Sequence, residues 1–241
     1  MISDLVSLEF AYASKSFEEN FQTLSSLVQK TPKNSLVQAP ELCLSGYRYE
    51  KLELSAKFSQ QIVPKIKELS KDRILSLTLV EKVGENFFNI AKIYHDEKEI
   101  YSRAKVKLFS LGEEEKHFAQ GDTKEIKTVD IEGTKIALLV CFELRFTKLW
   151  DRVSGADIVL IPSYWGKGRK EHLAILSRAL AVANQCFVIV SNSSDDDMAS
   201  NSCIITPFGE VIEDSSFGLI KAKFSKKLVT KMRRYIDVGL V

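Results

Sequence analysis

The sequence predicts a layered α/β fold with mixed sheets, and three features of the chain support this prediction. Strand-like and helix-like stretches alternate near both ends of the chain, as they do in layered α/β proteins. Between them lie strand-like runs joined by short polar turns, which is the pattern of antiparallel hairpins. Residues 136–140 are aliphatic throughout, as strands buried on both faces are. Both parallel and antiparallel strand neighbours are therefore expected.

The first part of the chain predicts two strands and two helices in alternation. Residues 4–11 have the pattern of a strand. Ser16 and Glu19 form a capping-box pattern, and apolar residues at helical spacing follow them. Residues 35–39 predict a second short strand, and residues 57–70 predict a second helix.

The middle of the chain predicts hairpins and one long loop. Three strands joined by tight polar turns are expected at residues 73–82, 86–95 and 100–103. Residues 110–124 are polar and contain two glycines, which predicts a surface loop. Residues 126–131 should form a hairpin with the buried strand that ends at Cys141, and an amphipathic helix should begin there.

The last part of the chain repeats the alternation of strand and helix. Residues 156–162 predict another buried strand, and a basic, glycine-containing loop follows at residues 166–170. A helix of about 14 residues should come next. The remaining predicted elements are strands at 186–191, 202–206, 211–213 and 219–224, and a helix at 225–234.

Composition limits the possible partners and the cellular compartment. The chain has 241 residues and no Pro/Ser/Gly-rich linker, so we expect one domain over residues 1–241. A net charge of +2 gives no electrostatic reason to expect nucleic acid or membrane as a partner. Four cysteines without C-x-x-C spacing argue against a disulfide framework. No signal peptide or membrane span is recognisable, so a cytoplasmic protein is expected.

Three reactive side chains stand where a predicted strand gives way to a loop: Glu41, Lys105 and Cys141. Loops converge at such strand ends, so these residues can supply a base, a cation and a nucleophile for acyl transfer. The start of a helix at Cys141 would favour the thiolate. From this segment alone, however, a small buried apolar cysteine is an equally good interpretation.

Other classes of site find less support in the sequence. A Cys–His enzyme needs a histidine partner, and His95, His117 and His172 lie in unremarkable polar surroundings. No H-E-x-x-H or H-x-x-E-H zinc motif and no phosphate-binding glycine motif occurs. We therefore expect no metal and no cofactor.

Three motifs in order resemble those of the carbon–nitrogen hydrolase (nitrilase) superfamily. Residues 40–47, P-E-L-C-L-S-G-Y, are similar to its glutamate motif P-E-L-x-L-x-G-Y. Residues 104–109, A-K-V-K-L-F, resemble its lysine motif R-K-x-H-L-F, which places the lysine at Lys105 and not at Lys107. Residues 141–149, C-F-E-L-R-F-T-K-L, resemble its cysteine motif C-Y-D-L-R-F-P-E-L. The likeness covers nearly the whole chain.

The resemblance implies a four-layer α-β-β-α sandwich with two mixed sheets. It also implies that Cys141 attacks an amide carbonyl, Glu41 acts as general base and acid, and Lys105 holds the oxyanion. The backbone N–H of Phe142 would assist at the oxyanion, and Glu113 would resemble the positioning glutamate of the family. A catalytically silent binding protein on the same fold is the alternative outside the enzymes.

The resemblance further implies a small amide substrate, with an ω-amide of a dicarboxylic acid favoured over an N-carbamoyl amine. A substrate carboxylate needs a cation, and the candidates are Arg145 and the loop residues Lys167, Arg169 and Lys170. The remaining candidate binding residues are aromatic, namely Tyr47, Tyr164 and Trp165.

Relatives dimerise through the helices that follow the cysteine and the next strand, so a homodimer is expected. Five apolar residues of these segments are the candidate contacts: Trp150, Val153, Leu173, Ile175 and Leu176. The chain also departs from the family pattern, because Thr147 replaces a usual proline and Leu180 and Ala183 replace the usual arginine and glutamate.

Overall fold

A computed structural model describes residues 2–240 of the chain. Two sheets lie face to face, and helices cover their outer sides. The α helices are α1 (Phe17–Gln29), α2 (Leu52–Leu69), α3 (Thr147–Trp150), α4 (Lys170–Ala183) and α5 (Lys226–Tyr235). This arrangement confirms the predicted four-layer α-β-β-α sandwich.

The first sheet has seven strands in the order β12-β13-β1-β2-β3-β4-β5. The pairs β1–β2 and β2–β3 are parallel, and the other pairs are antiparallel. Its strands are β1 (Asp4–Leu8), β2 (Ser35–Gln38), β3 (Ile74–Val83), β4 (Asn86–His95), β5 (Lys98–Ala104), β12 (Ser215–Ser216) and β13 (Leu219–Lys223).

The second sheet has six strands in the order β11-β10-β9-β8-β7-β6. Its centre, β7–β8–β9, is parallel, and both margins are antiparallel. Its strands are β6 (Val129–Ile131), β7 (Thr134–Leu138), β8 (Ile158–Pro162), β9 (Phe187–Ser191), β10 (Cys203–Ile205) and β11 (Val211–Ile212). Both sheets are therefore mixed, as the sequence predicted.

Alternating side chains of the first sheet divide the core into two parts. Leu5, Leu36 and Ile74 are neighbours in register on β1, β2 and β3. They pack in one apolar cluster with the strands of the second sheet. The next residue on each of these strands packs with α1 and α2 instead, because successive side chains point to opposite faces. The central strands are consequently buried on both faces.

Three local predictions differ from the structure, and two of them concern the starts of helices. Helix α2 begins at Leu52, earlier than predicted, because Ser55 and Ser59 face the core and hide its apolar stripe. Cys141 does not start an amphipathic helix: a 3₁₀ turn over Cys141–Arg145 leads to the single turn α3. The left-handed backbone of Cys141, with φ of 49°, and the extended backbone of Phe146 prevent one continuous helix.

The segment predicted as a surface loop at residues 110–124 is only partly exposed. Glu114 and Phe118 of this segment are buried, and short 3₁₀ turns fold it against the site described below. No helix in the described part of the chain is both long and apolar enough to cross a membrane.

Candidate active site

The carboxyl ends of three strands from the two sheets bring the three reactive side chains together. Glu41 follows β2 and Lys105 follows β5 in the first sheet, whereas Cys141 follows β7 in the second. The backbone N–H of Glu41 donates to the Ser163 carbonyl just beyond β8, at 3.2 Å. The carboxyl ends of both sheets thus meet at one edge of the sandwich, where α/β folds usually place their sites.

Lys105 lies at the centre of a fully buried polar cluster. Its ammonium donates to Glu41 Oε1 and to Glu114 Oε1, each at 2.8 Å, and lies 3.3 Å from the Tyr47 hydroxyl. Burial opposes the charge, but the two carboxylates outweigh it and raise the pKa of Lys105 above its ordinary value. Lys105 is therefore a fixed cation in surroundings that exclude water.

The two carboxylate oxygens of Glu41 differ in their surroundings. Oε1 accepts from Lys105 and from the Asn89 side-chain amide at 2.9 Å. Oε2 is buried and has no hydrogen-bond donor among residues 2–240. One oxygen therefore fixes the orientation of the carboxylate, and the other is free to accept a proton. The sequence did not point to Asn89, whose only signal is an asparagine between apolar neighbours, Phe88 and Ile90.

Cys141 is a buried thiol next to this cluster. Burial raises the pKa of Cys141 well above its ordinary value, the Glu41 charge adds to the increase, and the Lys105 ammonium opposes it. The expected stabilisation of a thiolate by a helix N-terminus is wrong, because only a 3₁₀ turn begins at Cys141 and burial raises the pKa of its thiol. A neutral thiol beside a carboxylate instead requires that a base remove its proton during the reaction.

The glutamate that contacts Lys105 is Glu114, whereas the sequence indicated Glu113. Glu113 has a side-chain exposure of 57% and pairs with Lys116 on the surface. Its left-handed backbone, with φ of 57°, turns the following residue inward. Burial raises the pKa of Glu114, and the Glu41 charge adds to this while Lys105 opposes it. A one-residue error in the loop register therefore misassigned the second acid.

A small cleft, with a cavity volume of about 20 Å³, opens beside Cys141. Arg145 lies over the Trp165 ring at 4.6 Å, and Arg169 lies over the Phe109 ring at 5.1 Å. The other residues that line the cavity are Phe142 and Tyr164. The cavity therefore joins a thiol to two guanidinium groups and an aromatic wall.

The remaining predicted site residues lie outside this cavity. Tyr47 contacts the Lys105 ammonium in the buried cluster and does not line the cavity. Lys167 and Lys170 of the basic loop are exposed, so Arg169 alone of that loop reaches the cavity. Lys107 lies over the Phe146 ring at 5.1 Å and makes no ion pair within residues 2–240.

No group of three or more His, Cys, Asp and Glu side chains within residues 2–240 is arranged to hold a metal ion.

Among the dimer candidates, Val153 and Leu173 are fully buried in the core, which corrects their expected position on the surface. Their helical spacing reflects core packing. Trp150 and Leu176 are partly buried, and Ile175 is 63% exposed.

Comparison with known proteins gives concordant matches. The family model described as carbon-nitrogen hydrolase matches residues 9–234. A 2-oxoglutaramate amidase from Bacillus subtilis (strain 168) is 26% identical over 235 residues, covering 91% of this chain and 90% of that protein. A deaminated glutathione amidase from Escherichia coli O157:H7 is 24% identical over 238 residues, covering 92% of this chain and 90% of that protein.

A solved structure has the same fold. A CN-hydrolase superfamily protein from Xanthomonas campestris, with an arsenic adduct in its active site, superimposes with a TM-score of 0.85. The two chains are 19% identical, and the alignment covers 98% of this chain and 96% of the other.

Proposed function

The chain belongs to the carbon-nitrogen hydrolase family, and from this premise we propose that it hydrolyses small ω-amides of dicarboxylic acids through a thioester on Cys141. The products are ammonia and the corresponding dicarboxylate. The proposal treats residues 1–241 as one catalytic domain. It is supported by the buried cluster next to the thiol and by the two cations of the cavity.

The first half of the proposed reaction forms the thioester. Glu41 takes the thiol proton, and Cys141 Sγ attacks the amide carbon, whose oxygen becomes negative. The Lys105 ammonium stabilises this oxyanion together with the backbone N–H of Phe142. Glu41 then returns the proton to the amide nitrogen, the C–N bond breaks, and ammonia leaves. The unoccupied oxygen of Glu41 suits it to both proton transfers.

The second half hydrolyses the thioester. Glu41 takes a proton from water, and the resulting hydroxide attacks the thioester carbonyl. The tetrahedral intermediate collapses, the C–S bond breaks, and the sulfur recovers a proton from Glu41. In this proposal Glu114 holds the Lys105 ammonium in place and balances its charge in a buried site.

One observation supports a carboxylate on the substrate. Arg145 and Arg169 both line the cavity with Cys141, and neither forms an ion pair with an acid within residues 2–240. Burial and the neighbouring Arg169 charge lower the pKa of Arg145. A carboxylate between them would relieve this repulsion and accept charge-assisted hydrogen bonds. The relative named for 2-oxoglutaramate, itself an ω-amide of a dicarboxylic acid, agrees with this assignment.

The test compares each ω-amide with a neutral analogue by ammonia release. Succinamate paired with butyramide and glutaramate paired with pentanamide differ mainly in the carboxylate. Arg145→Gln and Arg169→Gln should each lower kcat/KM for succinamate by about 10- to 100-fold, the usual scale for a hydrogen bond to a charged group. Butyramide turnover should stay constant, and Lys167→Gln in the same loop is the matched control. Equal turnover of acidic and neutral amides would contradict the carboxylate assignment.

The same panel should include an N-carbamoyl amine and deaminated glutathione. Preferred turnover of deaminated glutathione would move the assignment toward the second relative.

We also propose a homodimer in a reducing cytoplasm. Ile175 and Val182 of α4 and the nearby Phe208 are 63%, 43% and 43% exposed, and together they offer an apolar surface. All four cysteines are free thiols, which suits a reducing compartment. Ile175→Glu should lower the mass measured by light scattering, whereas Val83→Glu on the opposite sheet should not.

A further inference from the structure

A second buried ion pair lies close to the candidate nucleophile. Arg103 donates from Nη1 to Glu143 Oε1 at 2.9 Å and from Nη2 to Glu143 Oε2 at 2.5 Å. Both side chains are completely buried. Arg103 stands two residues before Lys105, and Glu143 stands two residues after Cys141.

The hydrogen bonds of this ion pair also reach the backbone of residues that adjoin Lys105 and Cys141. Glu143 Oε1 also accepts from the Val106 N–H at 2.6 Å, and Oε2 accepts from the Val140 N–H at 2.7 Å. Val106 directly follows Lys105, and Val140 directly precedes Cys141. Arg103 donates in addition to the Ala104 carbonyl at 3.0 Å. One carboxylate therefore fixes the chain at both reactive side chains.

The pair also joins two parts of the fold that share no strand pairing. Arg103 belongs to β5 at the margin of the first sheet, and Glu143 lies in the turn after β7 of the second sheet. Lys105 and Cys141 accordingly approach each other from different sheets. The Arg103–Glu143 pair connects the two sheets at the point where these side chains meet.

The backbone at Cys141 needs such support. Its φ of 49° lies in the left-handed region, which is sterically unfavourable for a non-glycine residue. The Glu143 carboxylate holds the Val140 N–H, and the Glu143 N–H donates to the Val140 carbonyl at 2.9 Å. These two bonds close the turn around Cys141 and stabilise its conformation.

We propose that Arg103 and Glu143 are positioning residues that set the separation between the Cys141 sulfur and the Lys105 ammonium. This inference rests on the proposed function, because it assigns the pair a role in the reaction that these two side chains perform. A displacement of about 1 Å at a reacting group lowers rates by about 100-fold.

The test uses the double variant Arg103→Met/Glu143→Gln, which leaves neither charge buried alone. Its kcat should fall by about 100-fold while KM changes little, because the lost interaction acts on geometry and not on substrate binding. The single variant Glu143→Gln should lose as much, since the two residues act as a unit. Arg103→Lys, which keeps the charge, should recover part of the rate.

Asp157 supplies a matched control at the other end of the second sheet. It is also buried, accepts the Lys135 N–H at 2.9 Å and faces Lys226 and Arg233 at 3.3 and 3.5 Å. Asp157→Asn should lower the melting temperature and leave kcat per folded molecule unchanged. If the double variant behaves like this control, the positioning role is wrong.

A second readout does not depend on turnover. Alkylation of Cys141 by iodoacetamide, followed by intact mass, should be about tenfold slower in the folded double variant, because Glu41 and Lys105 no longer meet the thiol correctly. Equal alkylation rates would overturn the inference. If the protein without substitutions releases ammonia from none of the amides, the proposed function is wrong. The alkylation result would still decide the positioning role.

Discussion

Two buried carboxylates near the thiol, Glu41 and Glu143, are alike in burial and different in hydrogen bonding. Each is completely buried and each pairs with a cation. Each of the two oxygens of Glu143 accepts hydrogen bonds from two donors. Glu41 has two donors on Oε1 and none within residues 2–240 on Oε2. The Glu143 carboxylate therefore has donors on both oxygens, whereas the Glu41 carboxylate retains one oxygen without a donor.

The difference separates support from chemistry. Each oxygen of Glu143 already accepts two donors, so this side chain suits a fixed ionic connection between the sheets. Glu41 can accept a proton on Oε2 and keep both bonds on Oε1. The overall charges differ as well, because Arg103 balances Glu143, whereas Lys105 faces both Glu41 and Glu114. Burial and the charges of Glu41 and Glu114 raise the pKa of Cys141, so a neighbouring base must remove the thiol proton during the reaction.

The sharpest way to break this comparison is Glu41→Gln. The amide oxygen can still accept from Lys105 and Asn89, but the side chain no longer takes a proton. We expect kcat to fall by about 10³- to 10⁴-fold, toward the upper range for a general base, with Cys141→Ala as the inactive reference. The decrease should exceed that of Glu143→Gln by about tenfold or more, because only Glu41 transfers protons in the proposed reaction. Equal losses at the two positions would contradict the division of roles.

The cation offers the next comparison, between Lys105 and Lys107. Lys105→Met removes the ammonium from the buried cluster and should lower kcat by about 10²- to 10³-fold, as loss of one oxyanion donor does. Lys107 lies over the Phe146 ring, away from Glu41, so Lys107→Met should have a far smaller effect. Initial rates of ammonia release at saturating substrate measure both. Similar losses at the two positions would show that the lysine motif was aligned wrongly.

The sequence predicted the fold and the three reactive residues because strand ends and motifs are local patterns. Buried strands such as the one predicted around residues 136–140 can be recognised by their continuous apolar composition. The sequence did not predict Glu114, because the left-handed turn at Glu113 shifts the acid that faces inward by one position. Arg103 and Glu143 were also missed, since their partnership depends on contact between two sheets. Such long-range ion pairs leave no periodic signal in one sequence.

The smallest expected effect concerns Glu114 and the cost of its charge. Burial raises the pKa of Glu114 above its ordinary value, so the folded state binds more protons than the unfolded state between these two pKa values. The free energy of unfolding therefore falls as the pH rises through that window. Above this window the contribution of the Glu114 carboxyl to the free energy of unfolding is at its smallest.

Glu114→Gln should reverse this effect and reduce activity at the same time. The variant keeps an acceptor for Lys105 without the charge, so the free energy of unfolding at pH 7 should rise by about 1 kcal/mol, an ordinary size for one substitution. The gain should shrink as the pH falls below the ordinary value, because the parent carboxyl is then protonated in both states. Ammonia release should drop by about tenfold as Lys105 loses its ionic partner. Glu113→Gln, at the surface, should change neither urea unfolding nor turnover. A destabilised Glu114→Gln at pH 7 would show instead that the Lys105 ammonium needs both carboxylates to remain buried.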